Sequence, residues 1–217
     1  MTVAQRRRRE REQRRAQILD AAQAVFTERG LAASTMEQVA AAAEVSKGTL
    51  YLYFRSKDEL FMALASEVAE ATHAAIEDVA ADGKLAGLEC LRGMARAAAR
   101  VALEHPNTVR NMVIWMASGD ACDIESDGFK HYRERVDKVH ALMLQALRDG
   151  QEDGSIRRDL DLVTTLSQIW PSMMISVVAT VNLDEVKRRI QKDIDGELLT
   201  PGLTDLLIRG IAANPAP

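Results

Sequence analysis

Aromatic residues, cysteines and strand-like alternation are all scarce in this chain of 217 residues. The two cysteines, Cys90 and Cys122, are too few for a disulfide scaffold and lack the spacing of metal ligands. Aromatic residues make up 4% of the chain while alanine is abundant, which favours helices over sheets. These shortages exclude a small disulfide-rich domain and predict an all-α protein in the reducing cytoplasm.

Catalytic and cofactor-binding motifs are also missing from the sequence. The four histidines form no metal-binding pair, and there is no glycine-rich phosphate loop or nucleophile elbow. No apolar run follows the arginine-rich N-terminus, so that segment is not read as a secretory signal. We therefore expect no enzyme activity, no cofactor and no metal site.

One uncharged stretch, from Leu162 to Leu183, has roughly the length that crosses a bilayer. It contains Pro171 and many serine, threonine, glutamine and asparagine residues, which are unfavourable with lipid on all sides. The sequence therefore predicts a buried helix and no membrane partner. Pro171 lacks an amide donor and predicts a kink in this helix.

Charge is distributed unevenly along the chain. Residues 1–60 carry 11 Lys and Arg against 8 Asp and Glu, whereas the whole chain has a net charge of −4. Seven arginines fall within the first fifteen residues, beside Glu10 and Glu12. A basic head on an acidic body indicates a polyanionic partner for the head. Taken alone, an arginine run is also compatible with a solvated tail.

The segment from Thr35 to Phe54 contains two short helices joined by about three residues, Ala43-Glu44-Val45. This is the size of a helix-turn-helix, whose second helix enters the major groove of DNA. Leu50 is expected to face inward and hold the second helix in place. The residues left for its outer surface are Lys47, Gly48, Thr49, Tyr51 and Tyr53.

These residue types suit contact with DNA. Lysine donates to guanine O6 and N7, glycine lets the backbone approach closely, and hydroxyl groups donate to phosphates. Lys57, and the free amides at the starts of the Thr35 and Ser46 helices, are placed for phosphate contacts. Considered singly, Thr35, Ser46 and Ser56 could merely cap helices, and the tyrosines could merely pack.

In this segment the chain resembles the DNA-binding domain of TetR/AcrR-type transcriptional regulators. The resemblance is carried by the run Val45-Ser46-Lys47-Gly48-Thr49-Leu50-Tyr51, then Tyr53-Phe54 and Ser56-Lys57. It is close over residues 14–64 and only architectural beyond them. It implies an all-helical fold of about nine helices, with a three-helix DNA-binding head and a helical body that binds ligands and dimerises.

The resemblance also implies roles for individual residues. Lys47, Gly48 and Tyr51 look like base readers, and the phosphate contacts look like Thr35, Thr49, Tyr53 and Lys57. Family members usually have glycine at the turn, where this chain has Glu44. If the turn needs a left-handed residue, Glu44 costs on the order of 1 kcal/mol.

We accordingly expect a disordered basic arm over residues 1–13, a helix-turn-helix domain over residues 14–60 and a ligand-binding and dimerisation domain over residues 61–217. The arginines of the arm are hypothesised to reach phosphates or an adjacent minor groove. The homodimer interface is placed on residues 160–182 and 202–213.

The effector site is the least specific part of the sequence. Methionine and tryptophan on helices suit variable apolar ligands, although such residues are as often ordinary core. The expected effector is a small apolar or amphipathic molecule. The candidate ligand-binding residues are Trp115, Met116, His140, Met143, Trp170 and Met174.

The sequence thus predicts a ligand-responsive regulator, most simply a repressor, that binds a palindromic operator in double-stranded DNA as a homodimer. The effector would favour the state with wrongly spaced heads and so release the operator. The main alternative is a non-specific architectural DNA-binding protein, which would show a steep salt dependence and little sequence preference. A helical enzyme and a protein-binding adaptor explain fewer of the features.

Overall fold

The structure is a computed structural model that describes residues 2–118, 126–193 and 195–213. Over these residues it is all-α, as predicted, with one isolated antiparallel bridge between Ile156 and Ala212. Cys122 and most of the loop predicted over residues 118–128 lie outside the described residues. The helices are α1 (Val3–Arg29), α2 (Met36–Ala42), α3 (Lys47–Tyr53), α4 (Lys57–Ala80), α5 (Gly87–Glu104), α6 (Pro106–Ser118), α7 (Asp127–Asp153), α8 (Leu162–Val181), α9 (Leu183–Ile190) and α10 (Gly196–Ile211).

The chain forms two compact units. The first comprises Met1–Glu67 and Ile114–Tyr132, and the second comprises Val68–Val113 and Arg133–Pro217. The domain boundaries expected from the sequence, at residues 13 and 60, remain predictions beside this division. In the first unit a buried core forms around Ile18, Phe26, Leu50 and Phe61.

The second unit is built around one hydrophobic cluster that includes residues of α5, α7, α8 and α10. Its fully buried members include Leu91, Met143, Met173 and Ile208. The spacing of these residues on their helices agrees with the periodicity seen in the sequence. The candidate effector residues of this unit are therefore set in or against a packed core.

Residues 1–13 were expected to be disordered. In the structure, residues 3–13 form the first turns of α1. A capping box between Thr2 and Gln5 starts the helix. Two ion pairs at i, i+4 spacing, Arg6–Glu10 at 3.2 Å and Arg8–Glu12 at 2.8 Å, support it. Arginine, glutamine and glutamate are good helix formers, so the arm continues the helix of the head.

The C-terminal region differs from the prediction in two places. A short helix, α9, spans Leu183–Ile190, so the described residues hold ten helices, close to the expected number of about nine. The loop expected over residues 196–200 is the first turn of α10, with Pro201 inside the helix. Pro201 is the sixth residue of α10, beyond the first turn, so it removes one amide donor from the helix.

The helix α8 is long and apolar enough to cross a membrane by length and composition, and it is the one such helix in the described part of the chain. Composition alone is a weak indication, because core helices pass the same test. Leu166, Ile169 and Met173 of α8 are buried in the core cluster of the second unit. The helix runs through Pro171 as one element, and the predicted kink stays a prediction.

Candidate nucleic-acid interface and effector site

The turn between α2 and α3 closes in a Schellman motif. The Glu44 amide donates to the Ala41 carbonyl at 3.2 Å, and the Val45 amide donates to the Ala40 carbonyl at 3.0 Å. Glu44 has φ +54°, in the left-handed region that glycine usually occupies. The turn geometry is thus retained with a non-glycine residue, at a conformational cost of about 1 kcal/mol.

The helix α3 is fixed by its buried residues. Leu50 is 0% exposed, and Val39 and Ala43 are also buried, as the sequence predicts for the inner face of a helix-turn-helix. Phe54, the C-cap residue of α3, is buried as well. The opposite face is accessible, because Lys47, Gly48 and Tyr51 are exposed.

Gly48 lies in open surroundings. A Cβ atom built at this position would have the Ser46 hydroxyl, at 3.8 Å, as its nearest neighbour. The protein's own packing therefore does not require glycine here. A close approach of another molecule to the backbone of α3 would give glycine a function at this position.

The hydroxyl groups assigned to DNA contacts also cap helices. Thr35 accepts from the Gln38 amide, and Ser46 accepts from the Thr49 amide at 3.0 Å. The Ser46 and Thr49 hydroxyls are 2.8 Å apart. Ser56 caps α4 by accepting from the Glu59 amide, and the Glu59 carboxylate accepts from the Arg55 amide and not from that of Ser56.

Lys47 is held by an acidic neighbour. Its ammonium group donates to the Glu37 carboxylate on α2, and its Nζ atom lies 6.0 Å from the centroid of the Tyr51 ring. The hydrogen bond from Lys47 lowers the pKa of Glu37, and the same bond raises the pKa of Lys47. Both groups are therefore charged at neutral pH, and Lys47 must leave Glu37 to reach a base.

The remaining predicted DNA-contact residues lie nearby on the same unit. Lys57 donates to the Ala32 carbonyl at 3.1 Å, and Tyr53 is half-buried. Leu52, which is not among the predicted DNA-contact residues, is 78% exposed on α3. An exposed leucine on this helix is suited to contact a thymine methyl group. Leu52 falls outside the three-to-four spacing of the buried Leu50 and Phe54, and this sequence signal could have identified it as an exposed residue.

Four of the six candidate effector residues come together in the second unit. The rings of His140 and Trp170 meet edge to face, with centroids 5.6 Å apart. Trp170 and Met174 pack against the core cluster that contains the fully buried Met143. Burial lowers the pKa of His140, and its Nε2 atom is buried without a hydrogen-bond partner in the described structure. The group is apolar, with one unsatisfied polar atom.

Trp115 and Met116 belong to the first unit and are not part of this group. The Trp115 ring lies 6.3 Å from the Phe129 ring, measured between centroids, and Met116 is exposed. The polar residues of α8 include both buried and exposed side chains. Thr165 and Ser176 are buried and bond to backbone carbonyls, whereas Gln168 is exposed.

Known proteins resemble both the DNA-binding head and most of the length of this chain. The family model for bacterial regulatory proteins of the tetR family matches residues 18–64. The transcriptional repressor KstR2 of Mycobacterium tuberculosis is 29% identical over 164 residues, which cover 76% of this chain and 80% of the relative. The transcriptional activator FasR of Mycolicibacterium smegmatis is 48% identical over 54 residues, a quarter of each chain.

Solved structures give the same result for the fold. The structure of the ketosteroid transcriptional regulator KstR2 has a TM-score of 0.64 and 25% identity, and it covers 92% of this chain and 95% of its own. FadR from Bacillus subtilis, in complex with stearoyl-CoA, has a TM-score of 0.71 and 22% identity, with 90% and 98% coverage. The likeness to FadR shows the fold alone.

The fold and the helix-turn-helix define a DNA-binding transcriptional regulator. Residues 18–64 match the tetR family of bacterial regulatory proteins, and the chain resembles a regulator of this type over most of its length. Its relatives of known role are transcriptional regulators and not enzymes.

Proposed function

We propose that this protein is a repressor that binds a palindromic operator as a homodimer and is released by a small apolar or amphipathic effector. The observation that carries the proposal is the outer face of α3, where Lys47, Gly48 and Tyr51 are exposed on a helix anchored by Leu50. Repression is favoured by the KstR2 relative, which matches most of the chain. The regulator acts on DNA in the cytoplasm.

On the operator, Lys47 exchanges Glu37 for guanine O6 and N7, and Gly48 lets the α3 backbone approach the base edges. Tyr51 contributes the third base contact. Thr35, Thr49, Tyr53 and Lys57 contact phosphates on either side, and the amides at the start of α3 assist. Ser46 keeps its role as the cap of α3 and orients those amides.

The homodimer forms through α8 and α10, within residues 160–182 and 202–213. The exposed face of these helices carries apolar residues, among them Val163, Ile175 and Leu206. It also carries the exposed glycines Gly202 and Gly210, which allow close helix approach. Exposed apolar side chains on two neighbouring helices are typical of a subunit interface. The dimer must hold its recognition helices one DNA turn, about 34–36 Å, apart.

The effector binds in the second unit, beside His140, Met143, Trp170 and Met174. This group is apolar, and methionine side chains adapt their shape to a ligand. The names of the comparison proteins point the same way, because KstR2 is a ketosteroid regulator and FadR was solved with stearoyl-CoA. The effector releases DNA by binding the state with wrongly spaced heads more tightly.

The test is selection from a random pool of duplex DNA with the wild type and with Lys47→Ala and Tyr51→Ala. We expect a palindrome to be enriched by the wild type and lost by both variants. Lys84→Ala, which removes an exposed lysine of the second unit, is the matched control and should select the same palindrome. If all four proteins bind alike with no enriched sequence, the protein is a non-specific architectural binder and the proposal fails.

A further inference from the structure

The first half of α1 contributes no buried residue to the core. Every described residue from position 2 to position 17 is exposed, and burial begins at Ile18. At 1.5 Å per residue, residues 3–17 form a helical segment about 22 Å long. Seven arginines lie in this segment. Such a segment contributes little to stability through burial.

The arginines are not spread evenly around the helix. Arg7, Arg11 and Arg14 follow one another at spacings of four and three residues, and the same spacing continues to the buried Ile18, Ala22 and Val25. These three arginines, the basic stripe, therefore lie on the helix face that packs inside the head farther along.

The basic stripe continues the surface of the helix-turn-helix. The Gln17 amide donates to the Ala43 carbonyl at 3.1 Å, in the turn between α2 and α3. The Arg15 guanidinium lies 5.3 Å from the centroid of the Phe54 ring, at the end of α3. The arm thus leaves the head beside both ends of α3, with the basic stripe on the side of these contacts.

The other face of the arm differs. Arg9 lies on the opposite side of α1, and Arg6, on the flank, forms an ion pair with Glu10. Glu12 lies away from the basic stripe, and Glu10 lies beside it, three residues after Arg7 and four before Arg14. The basic stripe itself contains only positive charges.

We propose that the basic stripe binds the phosphate backbone of the same DNA duplex, outside the sequence that α3 reads. The proposal rests on the proposed function, because the arm and α3 act on one duplex. A helix is about 10–12 Å wide and cannot enter a minor groove about 6 Å wide, so the contact is to phosphates and not to bases. With 3.4 Å per base pair, an arm about 22 Å long extends the bound region by up to about six base pairs on each side.

The test uses the palindrome selected above, flanked on each side by ten base pairs of arbitrary sequence. Affinity is measured across salt concentrations for the full-length wild type, for Arg7→Gln/Arg11→Gln and for Arg6→Gln/Arg9→Gln. Both double variants lose the same charge, and glutamine is also a good helix former. The first should flatten the salt dependence by about 0.9 in log–log slope per lost phosphate contact, or up to about 3.6 for the dimer. The second should change it much less.

Two further experiments locate the contact on the DNA. On a duplex without the flanks, Arg7→Gln/Arg11→Gln should match the wild type. Ala16→Pro keeps every arginine but interrupts α1 before Ile18, where a new helix can start with proline in its first turn. It should weaken binding as the stripe variant does. Equal effects of the two double variants, or wild-type binding by Ala16→Pro, would overturn the proposal.

The experiment separates this proposal from the proposed function. If Lys47→Ala loses the palindrome while the stripe variant keeps the wild-type salt dependence, the helix-turn-helix function stands and the stripe proposal fails. If Lys47→Ala also keeps the palindrome, the proposed function itself fails. Binding to phosphatidylserine vesicles that depends on Arg7 and Arg11, without an effect on DNA, would assign the stripe to a membrane surface and overturn the proposal.

Discussion

At the scale of single residues, Glu37 restrains the lysine that is proposed to read a base. The Glu37 carboxylate accepts a hydrogen bond from Lys47 across the gap between α2 and α3, and both side chains are more than half exposed. An exposed pair of this kind contributes little to folding. Its effect on DNA binding is larger, because Lys47 must leave the pair and because Glu37 adds negative charge close to phosphates.

We predict that Glu37→Gln strengthens DNA binding by roughly twofold to fivefold, the range expected for the loss of one exposed ion pair. Fluorescence anisotropy on the operator and on a random duplex would measure it. Glu28→Gln, which removes an exposed carboxylate near the end of α1, is the control and should have a smaller effect. An equal gain for the two variants would mean that net charge, and not the release of Lys47, is responsible.

Glu44 is the second residue of note in the head. The Schellman bonds to Ala40 and Ala41 keep the turn in the shape that the helix-turn-helix needs, with φ +54° at Glu44. The strain lies at the position that the sequence indicates. The turn keeps its shape because buried residues such as Val39 and Leu50 anchor α2 and α3, which the sequence of the turn alone does not determine.

At the scale of the helices, α5 is capped by residues far away in the chain. Its own N-cap residue, Ala86, provides no side-chain bond. The amide of Gly87 donates instead to the Asp153 carboxylate at 2.7 Å, and the amide of Leu88 donates to the Ser155 hydroxyl at 3.1 Å. Asp153 is the last residue of α7 and Ser155 follows that helix, so they join the end of α7 to the start of α5. This satisfies amides that a helix start would otherwise leave free.

We predict that Asp153→Ala lowers the free energy of unfolding by about 1 kcal/mol at pH 7, as the loss of a cap does. The hydrogen bonds from Ser155 and Gly87 hold the pKa of Asp153 below its usual range, so the stabilisation requires the carboxylate. It is complete above the pKa of the unfolded chain, near 4, and is lost as pH falls through the lower pKa of the folded state.

Urea unfolding of the wild type and of Asp153→Ala between pH 3 and pH 7 would check this prediction. The difference between the two proteins should shrink below about pH 4. Glu152→Ala changes an exposed carboxylate next in the chain and serves as the control. A difference that stays constant over this pH range would show that the effect comes from packing and not from the charged cap.

At the scale of the whole molecule, the proposed dimer depends on an exposed apolar face. Leu206 on α10 is 69% exposed, and Ile175 on α8 is also exposed. Between the two helices, the hydroxyls of Thr180 and Thr200 are 2.9 Å apart, so the pair is joined internally by hydrogen bonds. The apolar face itself remains without a cover within the chain's described residues.

We predict that Ile175→Arg/Leu206→Arg converts the dimer to a monomer, because charged side chains would be buried unpaired in the interface. Sedimentation equilibrium would give the subunit state. Affinity for the full palindrome should fall at least tenfold, while circular dichroism stays that of a helical protein. Ile190→Arg, an exposed isoleucine on α9 outside the proposed interface, should leave the dimer intact. A dimer that survives the double change would move the interface elsewhere.

Features that depend on residues close together in the chain were correctly predicted from the sequence alone. The helix starts at Thr35 and Ser46 and the inward position of Leu50 are all present. Each of these signals acts within one or two helical turns, where composition and spacing determine the energy. The family resemblance and the all-α fold class rest on the same local patterns.

The tertiary structure alone decided the features that join distant residues. Glycine often ends a helix, but α7 continues past Gly150 to Asp153 and is followed by Gly154, which has φ +81°. Gly150 is needed for packing, because a Cβ added to it would lie 2.5 Å from the Cδ1 atom of Ile156. The grouping of His140 with Trp170 is decided in the same way. Sequence spacing reports which residues share a helix face, whereas the meeting of two helices depends on how the whole core packs.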